Sequence, residues 1–249
     1  MQCGRCGSGA VFFQASSGRY LCSRHLVMDV EARAKRAIRS RRWMHPGDHI
    51  AVLLAGDRQS AALLNFLHKL TVDRRDIRLS AVVFEHARGG EDRFQDDRRV
   101  AESLGIPCVE IPSPGRTASA SGETVTKVAI AISLDDVAQT MTGRFLLGDA
   151  DQLLDPPPEQ WFGIPVICPF ITIPSEELGL YGEIEGQKAG IPGLLPARDT
   201  LPQDIADLLR EYYCNHPGTQ YALLHLAEQL SGGRVAGTVI PRFTGKVKQ

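Results

Sequence analysis

The stretch His49–Leu64, HIAVLLAGDRQSAALL, decides the fold of this chain. Its apolar run Ile50–Leu54 predicts a buried strand, and Ala61–Leu70 predicts a helix because apolar residues recur there at helical spacing. The polar residues Ala55–Ser60 between them predict a tight loop. Such a loop forms an anion site, since the free N–H groups of the first helical turn and the helix dipole both point into it.

We call Ala55–Ser60 the nucleotide loop, because a nucleotide phosphate is the usual occupant of such a site. The loop holds one Gly where phosphate loops usually have two or three, and Asp57 adds negative charge where an anion would lie. Ser60 is suited to donate a hydrogen bond to a phosphate, or simply to cap the helix. The candidate nucleotide-binding residues are Gly56, Arg58 and Ser60.

The composition narrows the class of protein. A chain of 249 residues with 43% apolar residues suits one large α/β domain, or one domain with a small appendage. The net charge of −1 gives no global signal for nucleic acid, so any basic surface must be local. No run approaches the roughly 18–20 apolar residues that span a bilayer, and the polar, Cys-rich start does not resemble a signal peptide. We therefore expect a cytoplasmic protein with no membrane partner, whose six cysteines favour metal over disulfides.

Residues 1–27 are predicted to form a zinc knuckle. Two ligand pairs at short spacing, separated by fifteen residues, place four soft ligands on two turns and suit tetrahedral Zn²⁺. Four protein ligands leave no open position, so we expect a structural metal that supplies much of the folding energy of this small unit. Unrelated buried cysteines are the alternative. The predicted ligands are Cys3, Cys6, Cys22 and His25.

Residues 28–46 are predicted to form a basic linking helix. The stretch Val27–Trp43 lacks Gly and Pro, and its apolar residues share one face at helical spacing. Its basic residues would bind a phosphate backbone with strong salt dependence. A solvated helix face explains the charge equally well, but the neighbouring knuckle favours nucleic acid. The candidate contacts are Arg33, Arg36, Arg39 and Arg42.

Residues 47–172 predict a parallel α/β domain, because strands alternate with helices along the chain. Ligands of such sheets bind beyond the carboxyl ends of the strands at a switch point, so the nucleotide loop should lie near residues 133–136. Residues 173–231 predict a helical C-terminal part, and residues 232–249 a flexible tail. Further strands are expected at Leu79–Glu85, Cys108–Ile111, Val125–Ile132 and Ile164–Cys168.

Asp135 and Asp136 form the candidate catalytic pair of this domain. Their carboxylates could hold Mg²⁺ on ATP, since hard cations prefer such oxygen ligands. The alternative is an acidic pair that the dipole favours at a helix N-terminus, with Ser133 as the cap. Lys127 could supply a basic group near the phosphates, or be an ordinary lysine at the edge of a strand.

The order of these parts resembles the TtuA-type tRNA 2-thiouridine synthetase family, which has a PP-loop ATP pyrophosphatase fold of the adenine nucleotide alpha hydrolase-like kind. The matches run in order over nearly the whole chain. The resemblance implies adenylation of a tRNA uridine with ATP and Mg²⁺, followed by sulfur delivery, in many members with an iron–sulfur cluster on three cysteines. Besides the knuckle, the basic helix and the strand–loop–helix, the matching motifs are Leu134-Asp135-Asp136, Leu147-Gly148-Asp149, Ile173-Pro174-Ser175-Glu176-Glu177 and His216-Pro217-Gly218-Thr219.

The chain departs from the family pattern where the chemistry lies. The family's phosphate loop, Ser-Gly-Gly-x-Asp-Ser, corresponds to Ala55–Ser60, in which only Gly56 and Ser60 survive. The family's Cys-x-x-Cys-Gly corresponds to Ala118–Gly122, and its third cluster cysteine falls near Pro192-Gly193, without a Cys at either place. These losses argue against an iron–sulfur cluster, and they leave the binding of ATP and Mg²⁺ in doubt.

Two hypotheses follow from different classes of protein. In one, the chain is an active ATP-dependent enzyme that adenylates a tRNA uridine through an altered PP-loop. In the other, it is a diverged, largely non-catalytic member that keeps zinc and tRNA binding and acts as a partner or scaffold. We favour the second, because Asp57 sets a like charge against polyphosphate and the cluster cysteines are gone. The family resemblance implies a homodimer, or a heterodimer with an active member.

Overall fold

The computed structural model describes residues 1–84, 98–111, 124–146, 148, 160–161, 163–189, 203–216 and 218–232. It begins with an antiparallel hairpin of β1 (Phe12–Gln14) and β2 (Arg19–Leu21), followed by α1 (Ser23–Ser40). The sequence predicts this hairpin from the segments Val11–Phe13 and Arg19–Leu21, within one residue of the observed strands. The helix starts inside the predicted knuckle segment, because the backbone carbonyl of Cys22 already accepts the Leu26 N–H at 2.9 Å.

One sheet forms the body of the described chain. Its six strands lie in the order β5-β4-β3-β6-β8-β7, and every neighbouring pair is parallel except β7 with β8. The chain passes from β3 outward through β4 and β5, and returns to β6 on the other side of β3. A switch point therefore lies between β3 and β6. The strands are β3 (His49–Leu53), β4 (Arg78–Phe84), β5 (Cys108–Ile111), β6 (Lys127–Ala129), β7 (Gln160–Trp161) and β8 (Ile164–Ile167).

Helices cover this sheet and form two apolar clusters with it. Residues of α1, α2 and α4 pack with β3 and β4 in the larger cluster, whereas α3 and α6 pack with β8 in the smaller one. A Cβ atom at Gly182 of α4 would lie 3.2 Å from the Arg58 carbonyl oxygen, so Gly lets α4 approach the start of α2. The remaining helices are α2 (Arg58–Thr71), α3 (Leu134–Leu146), α4 (Ser175–Ala189), α5 (Gln203–Asn215) and α6 (Thr219–Gly232). A further helical segment covers 98–103.

The predicted fold class, a parallel PP-loop-like α/β sheet with a helical C-terminal part, is confirmed. One boundary differs from its prediction: the sequence predicts a helix from Ser175 through Glu185 that Gly186 ends, whereas α4 continues to Ala189. Buried Glu185 pairs there with Lys69 of α2, so tertiary contacts outweigh the low helix propensity of Gly. The predicted tail lies outside the described residues except for Gly232, the last residue of α6. Among the described helices, none has the length and apolar character that crossing a membrane requires.

Candidate functional site

The four predicted metal ligands meet at one point. The Cys3 Sγ and Cys22 Sγ atoms lie 3.5 and 3.3 Å from the His25 Nδ1 atom, and the Cys6 Sγ atom lies 3.7 Å from Cys22 Sγ. All four ligand atoms lie within 4.8 Å of one another. A tetrahedral metal with metal–sulfur bonds of about 2.3 Å separates its ligands by about 3.7 Å. The knuckle therefore fits a tetrahedral metal ion.

Backbone hydrogen bonds position the first ligand of the knuckle. The Cys3 N–H donates to the Ser8 carbonyl, and the Gly7 N–H donates to the Cys3 carbonyl. Desolvation raises the pKa of the Cys3 thiol, but hydrogen bonds from the backbones of Arg5, Cys22 and Cys6 outweigh it and lower the pKa to about 6. Because the thiolate is the form that binds metal, this shift favours a ligand at neutral pH.

A polar network connects the knuckle to the sheet domain. The Gln14 side chain at the end of β1 donates to Asp29 of α1 at 3.0 Å and to Glu177 of α4 at 3.1 Å. The Arg33 guanidinium pairs with the same two carboxylates. Glu177 is 2% exposed, so this ion pair is buried at its centre. Arg33, which the sequence places among the nucleic-acid contacts, is therefore held inside the protein between two carboxylates.

The nucleotide loop is closed by its own side chains. Asp57 caps α2, because its Oδ1 atom accepts the Ser60 N–H at 2.7 Å. The buried Ser60 hydroxyl donates to the Asp57 carbonyl at 3.1 Å and accepts the Ala55 N–H at 3.2 Å. Gly56 has a φ of 73°, which accounts for Gly at this position. The Asp57 carboxylate therefore already accepts the Ser60 N–H, which is one of the groups that a phosphate bound at this helix N-terminus would use.

Asp135 and Asp136 both act as helix caps. The Asp135 carboxylate accepts the Ser175 N–H at the start of α4 and the Gln220 side-chain amide of α6, each at 2.6 Å. Asp136 accepts the Ser133 N–H at 2.7 Å, and its own N–H donates to the Ser133 hydroxyl at 3.1 Å. This reciprocal pair caps α3. The sequence predicts Ser133 as a cap, whereas no sequence pattern indicates that Gln220 contacts Asp135.

The structure brings the acidic pair close to the nucleotide loop at the switch point. Burial raises the pKa of Asp136, and the charges of Asp135 and Asp57 raise it further, against hydrogen bonds from Ser133 that lower it. Three carboxylates therefore share this end of the sheet. Lys127 lies elsewhere, at the start of β6, where its ammonium group pairs with buried Asp48. It is thus at the amino end of the sheet, away from the loop.

The other predicted nucleic-acid contacts are on the surface. Arg36, Arg39 and Arg42 are exposed, and no carboxylate of the described residues pairs with them. The neighbouring Arg41, which was not predicted to have a role, pairs with Glu228 of α6 and lies 5.1 Å from the centre of the Trp43 ring. These arginines are therefore of two kinds. Arg33 and Arg41 are held in ion pairs within the protein, whereas the three exposed arginines are available to a partner.

The chain is similar over most of its length to two tRNA thiolation proteins. It is 26% identical to the tRNA 2-thiolation protein NcsA of Haloferax volcanii, in an alignment of 282 residues that covers 93% of this chain and 87% of that protein. It aligns with the U34-tRNA thiolase NcsA from Methanococcus maripaludis at a TM-score of 0.77 and 19% identity, covering 94% of this chain and 88% of that one. No family model matches the chain. The family resemblance predicted from the sequence is confirmed.

The second of these proteins corrects one prediction. Its structure is described with its [4Fe-4S] cluster, so the inference against an iron–sulfur cluster from the missing family cysteines is wrong. That inference relied on positions 118–122 and 192–193, which lie outside the described residues. Cysteine thiolates hold iron–sulfur clusters as well as zinc. Within the described residues, the knuckle is the one group of His, Cys, Asp or Glu found with the geometry to hold a metal.

Proposed function

We propose that this chain is a largely non-catalytic member of the TtuA-type family of tRNA 2-thiolation proteins and that it binds zinc and tRNA. The zinc ion would be held by the four ligands of the knuckle. It would supply folding energy to a unit with little core of its own, and with four protein ligands it would have no open position for chemistry. The tRNA would be bound through the exposed Arg36 and Arg39 of α1 and through Arg42 just after the helix. The predicted homodimer, or heterodimer with an active member, stays a prediction.

The observation that carries the non-catalytic role is the cap that Asp57 forms on α2. Its carboxylate accepts the Ser60 N–H, so a side chain already compensates the partial positive charge at the N-terminus of α2. A polyphosphate would have to displace this carboxylate and then lie beside it. It would also meet Asp135 and Asp136 at the same end of the sheet, where their like charges oppose it. Each of these effects weakens ATP binding and therefore adenylation.

Tight binding of Mg·ATP would favour the alternative, an active adenylating enzyme. The strand–loop–helix backbone is retained, and Gly56 and Ser60 keep their places in it. We expect calorimetric titration of the full chain with Mg·ATP to show no binding at millimolar nucleotide. The variant Asp57→Gly should gain measurable affinity, because it removes the competing carboxylate while Gly is still tolerated as a cap.

Asp73→Gly is the matched control for this experiment. Asp73 is exposed and follows α2 at its far end, so the change removes one negative charge without opening the loop. We expect this control to resemble the unaltered chain. If the unaltered chain bound Mg·ATP and released pyrophosphate in the presence of tRNA, the non-catalytic proposal would be wrong and the enzyme would be supported.

The tRNA part is tested by electrophoretic mobility shift with transcribed tRNA. Replacing Arg36, Arg39 and Arg42 together by Glu should abolish the shift, because three exposed cations at the end of α1 become anions. Replacing Arg24, an exposed arginine at the other end of α1, by Glu is the control. Unchanged tRNA affinity in the triple variant would refute α1 as the contact.

A further inference from the structure

We propose that a basic groove at the amino end of the sheet binds a nucleotide unit of an RNA strand, separately from the nucleotide loop. The groove lies between the last turns of α1 and α2 and has a volume of about 590 Å³. This inference rests on the proposed tRNA binding and identifies where one nucleotide of that RNA would be held. Its phosphate would contact Arg39 and Arg42, and its base and ribose would lie on the apolar side chains between the helices.

The groove and the nucleotide loop are at opposite ends of the sheet. The nucleotide loop follows the carboxyl end of β3 and precedes α2. The groove is lined by residues from the end of α1, by Leu70 near the end of α2 and by Arg74 just before β4. The fourteen residues of α2 separate the two places by about 21 Å of helix. A ligand in the groove therefore does not occupy the site that Asp57 closes.

The lining of the groove is cationic. None of the described residues that line it is acidic, and four carry a basic side chain: Lys35, Arg39, Arg42 and Arg74. Two of these charges are paired. The Lys35 Nζ atom lies 3.1 Å from the Glu31 Oε2 atom, and the Arg74 Nη2 atom lies 2.6 Å from the Asp76 Oδ2 atom. Arg39 and Arg42 have no carboxylate partner in the described part of the chain. Two uncompensated guanidinium groups over one concave surface attract a phosphate.

Arg42 occupies a backbone position that normally belongs to glycine. Its φ is 51°, and within the described residues it is the one non-glycine residue in the left-handed region. The Arg42 and Trp43 N–H groups donate to the carbonyls of Arg39 and Ile38, the pattern of a Schellman motif at the end of α1. Gly is favoured at this position, so Arg42 stands here against the backbone preference. A binding role for its side chain explains an arginine at this position.

The floor of the groove is apolar, which favours a nucleotide over a bare anion. Ile38, Met44 and Leu70 line it between the basic side chains. The exposed His45 stands at its rim, and histidine rings and arginine planes both stack on unpaired bases. Ligand pockets for small molecules range from about 300 to 1,000 Å³, so the volume suits one nucleotide. Single-stranded RNA sites combine a cationic groove with rings on which bases stack, and the His45 ring supplies such a surface here.

The test compares two pairs of arginine variants in the full chain by fluorescence anisotropy with labelled transcribed tRNA. The groove pair is Arg39→Gln with Arg42→Gln, and the matched control pair is Arg19→Gln with Arg24→Gln, which removes two exposed charges outside the groove. We expect the groove pair to weaken binding by about tenfold or more and to reduce the salt slope by about 2. The control pair should change affinity less than about threefold.

A single variant separates binding from folding. Arg42→Gly suits the φ of 51°, so we expect it to unfold at no lower temperature than the unaltered chain and yet to bind tRNA several-fold more weakly. Equal losses in the groove and control pairs would overturn the groove but leave tRNA binding in place. Failure of the unaltered chain to bind tRNA would overturn the proposed tRNA binding, and the RNA ligand of the groove with it.

Titration with UMP distinguishes the source of the nucleotide. An RNA site should bind the free nucleotide at least about a hundredfold more weakly than tRNA, because a single phosphate supplies little of the electrostatic free energy of a strand. UMP binding as tight as that of tRNA, lost in the groove pair, would instead assign the groove to a free nucleotide. That outcome would overturn the RNA ligand while retaining the arginine contacts.

Discussion

A single carboxylate, that of Asp57, determines how the nucleotide loop can be used. The strand before it and the helix after it have the arrangement of an anion site, yet the Asp57 side chain accepts the first-turn N–H of Ser60. The residue thus stabilises the helix by capping it, and the same contact competes with a phosphate. Stability and anion binding are therefore opposed at this position.

Lys127→Met tests how much the ion pair between Lys127 and buried Asp48 contributes to the stability of the fold. Desolvation raises the pKa of Asp48, but hydrogen bonds from Lys127, the His45 backbone and Thr126 outweigh it and hold the pKa below its ordinary value. Such a carboxylate stabilises the fold above its unfolded pKa, and the stabilisation is lost as pH falls through the folded pKa. We expect the variant to lose about 3 kcal/mol of unfolding free energy at pH 7, because it leaves a buried carboxylate unpaired.

Denaturant unfolding across a pH series measures this effect. The difference between Lys127→Met and the unaltered chain should shrink as pH falls and Asp48 becomes protonated. Adding Asp48→Asn to the variant should remove most of that pH dependence. A difference that stays constant with pH would show that Lys127 contributes through packing rather than through its charge.

Asp136→Asn tests a carboxylate whose pKa is raised in the folded protein, in contrast to the lowered pKa of Asp48. Burial raises the pKa of Asp136, and the charges of Asp135 and Asp57 raise it further. A raised pKa means that stability is present below the unfolded pKa and is lost as pH rises through the folded pKa. Asn keeps an acceptor for the Ser133 N–H without the charge, so we expect the variant to lose less stability than the unaltered chain between about pH 4 and pH 7. Thermal unfolding with exposed Asp73→Asn as control measures this, and equal pH dependence in all three chains would contradict it.

At the scale of elements, one buried ion pair joins three segments that are far apart in the chain. The Glu177 carboxylate of α4 accepts hydrogen bonds from the Arg33 guanidinium of α1 and from the Gln14 amide of β1. Glu177→Ala leaves Arg33 with one of its two carboxylates and Gln14 without one of its acceptors. We expect it to lower the unfolding free energy by about 3 kcal/mol or more.

Glu176→Ala is the control for this variant, because Glu176 is the adjacent exposed acid in the first turn of α4. Chemical denaturation should show a change of less than about 1 kcal/mol for the control. Hydrogen exchange should also show faster opening of the hairpin in Glu177→Ala, because Gln14 lies on β1. Equal destabilisation by the two variants would contradict a specific role for the network.

At the scale of the whole molecule, the two ends of the sheet carry opposite charge. Asp57, Asp135 and Asp136 lie at the carboxyl end beside the nucleotide loop, whereas Arg39 and Arg42, which have no carboxylate partner among the described residues, lie at the amino end. An RNA held at the amino end would leave the acidic end free. This separation supports the proposal that RNA is bound away from the nucleotide loop.

Removal of the metal should unfold the knuckle and spare the sheet. Ligand atoms brought within 4.8 Å of one another would repel as thiolates without a cation. We expect a chelator, or the variant Cys6→Ser, to lower the melting temperature by at least about 5 °C and to remove exchange protection from residues 1–22 but not from β3 and β4. Cys214→Ser changes an exposed cysteine outside the group and should have neither effect.

Elemental analysis for zinc and for iron accompanies this experiment. One zinc per chain is the expected content, and a ratio of iron to sulfide typical of a cluster would assign the knuckle to an iron–sulfur centre instead. Unchanged exchange protection in metal-free protein would contradict the structural role of the metal.

Local patterns predicted most of the elements and the metal ligands. The strand before the nucleotide loop, the helix after it and the hairpin of the knuckle lie within a few residues of their predicted places, because periodicity and ligand spacing are properties of neighbouring residues. Asp57 was recognised as an unfavourable charge, but its role as the cap of α2 required the geometry of the helix start.

The sequence by itself determined the fold class, the four candidate ligands of the knuckle and the position of the nucleotide loop, since each depends on residues close together in the chain. Only the tertiary structure decided which charges are available. Folding pairs Arg33 with Glu177 and Lys127 with Asp48, and it brings the Asp135 carboxylate to the Ser175 N–H. These contacts join residues that are 40 to 144 positions apart in the chain. The availability of a charged group depends on what folding brings beside it, because desolvation and pairing act through space and not along the chain.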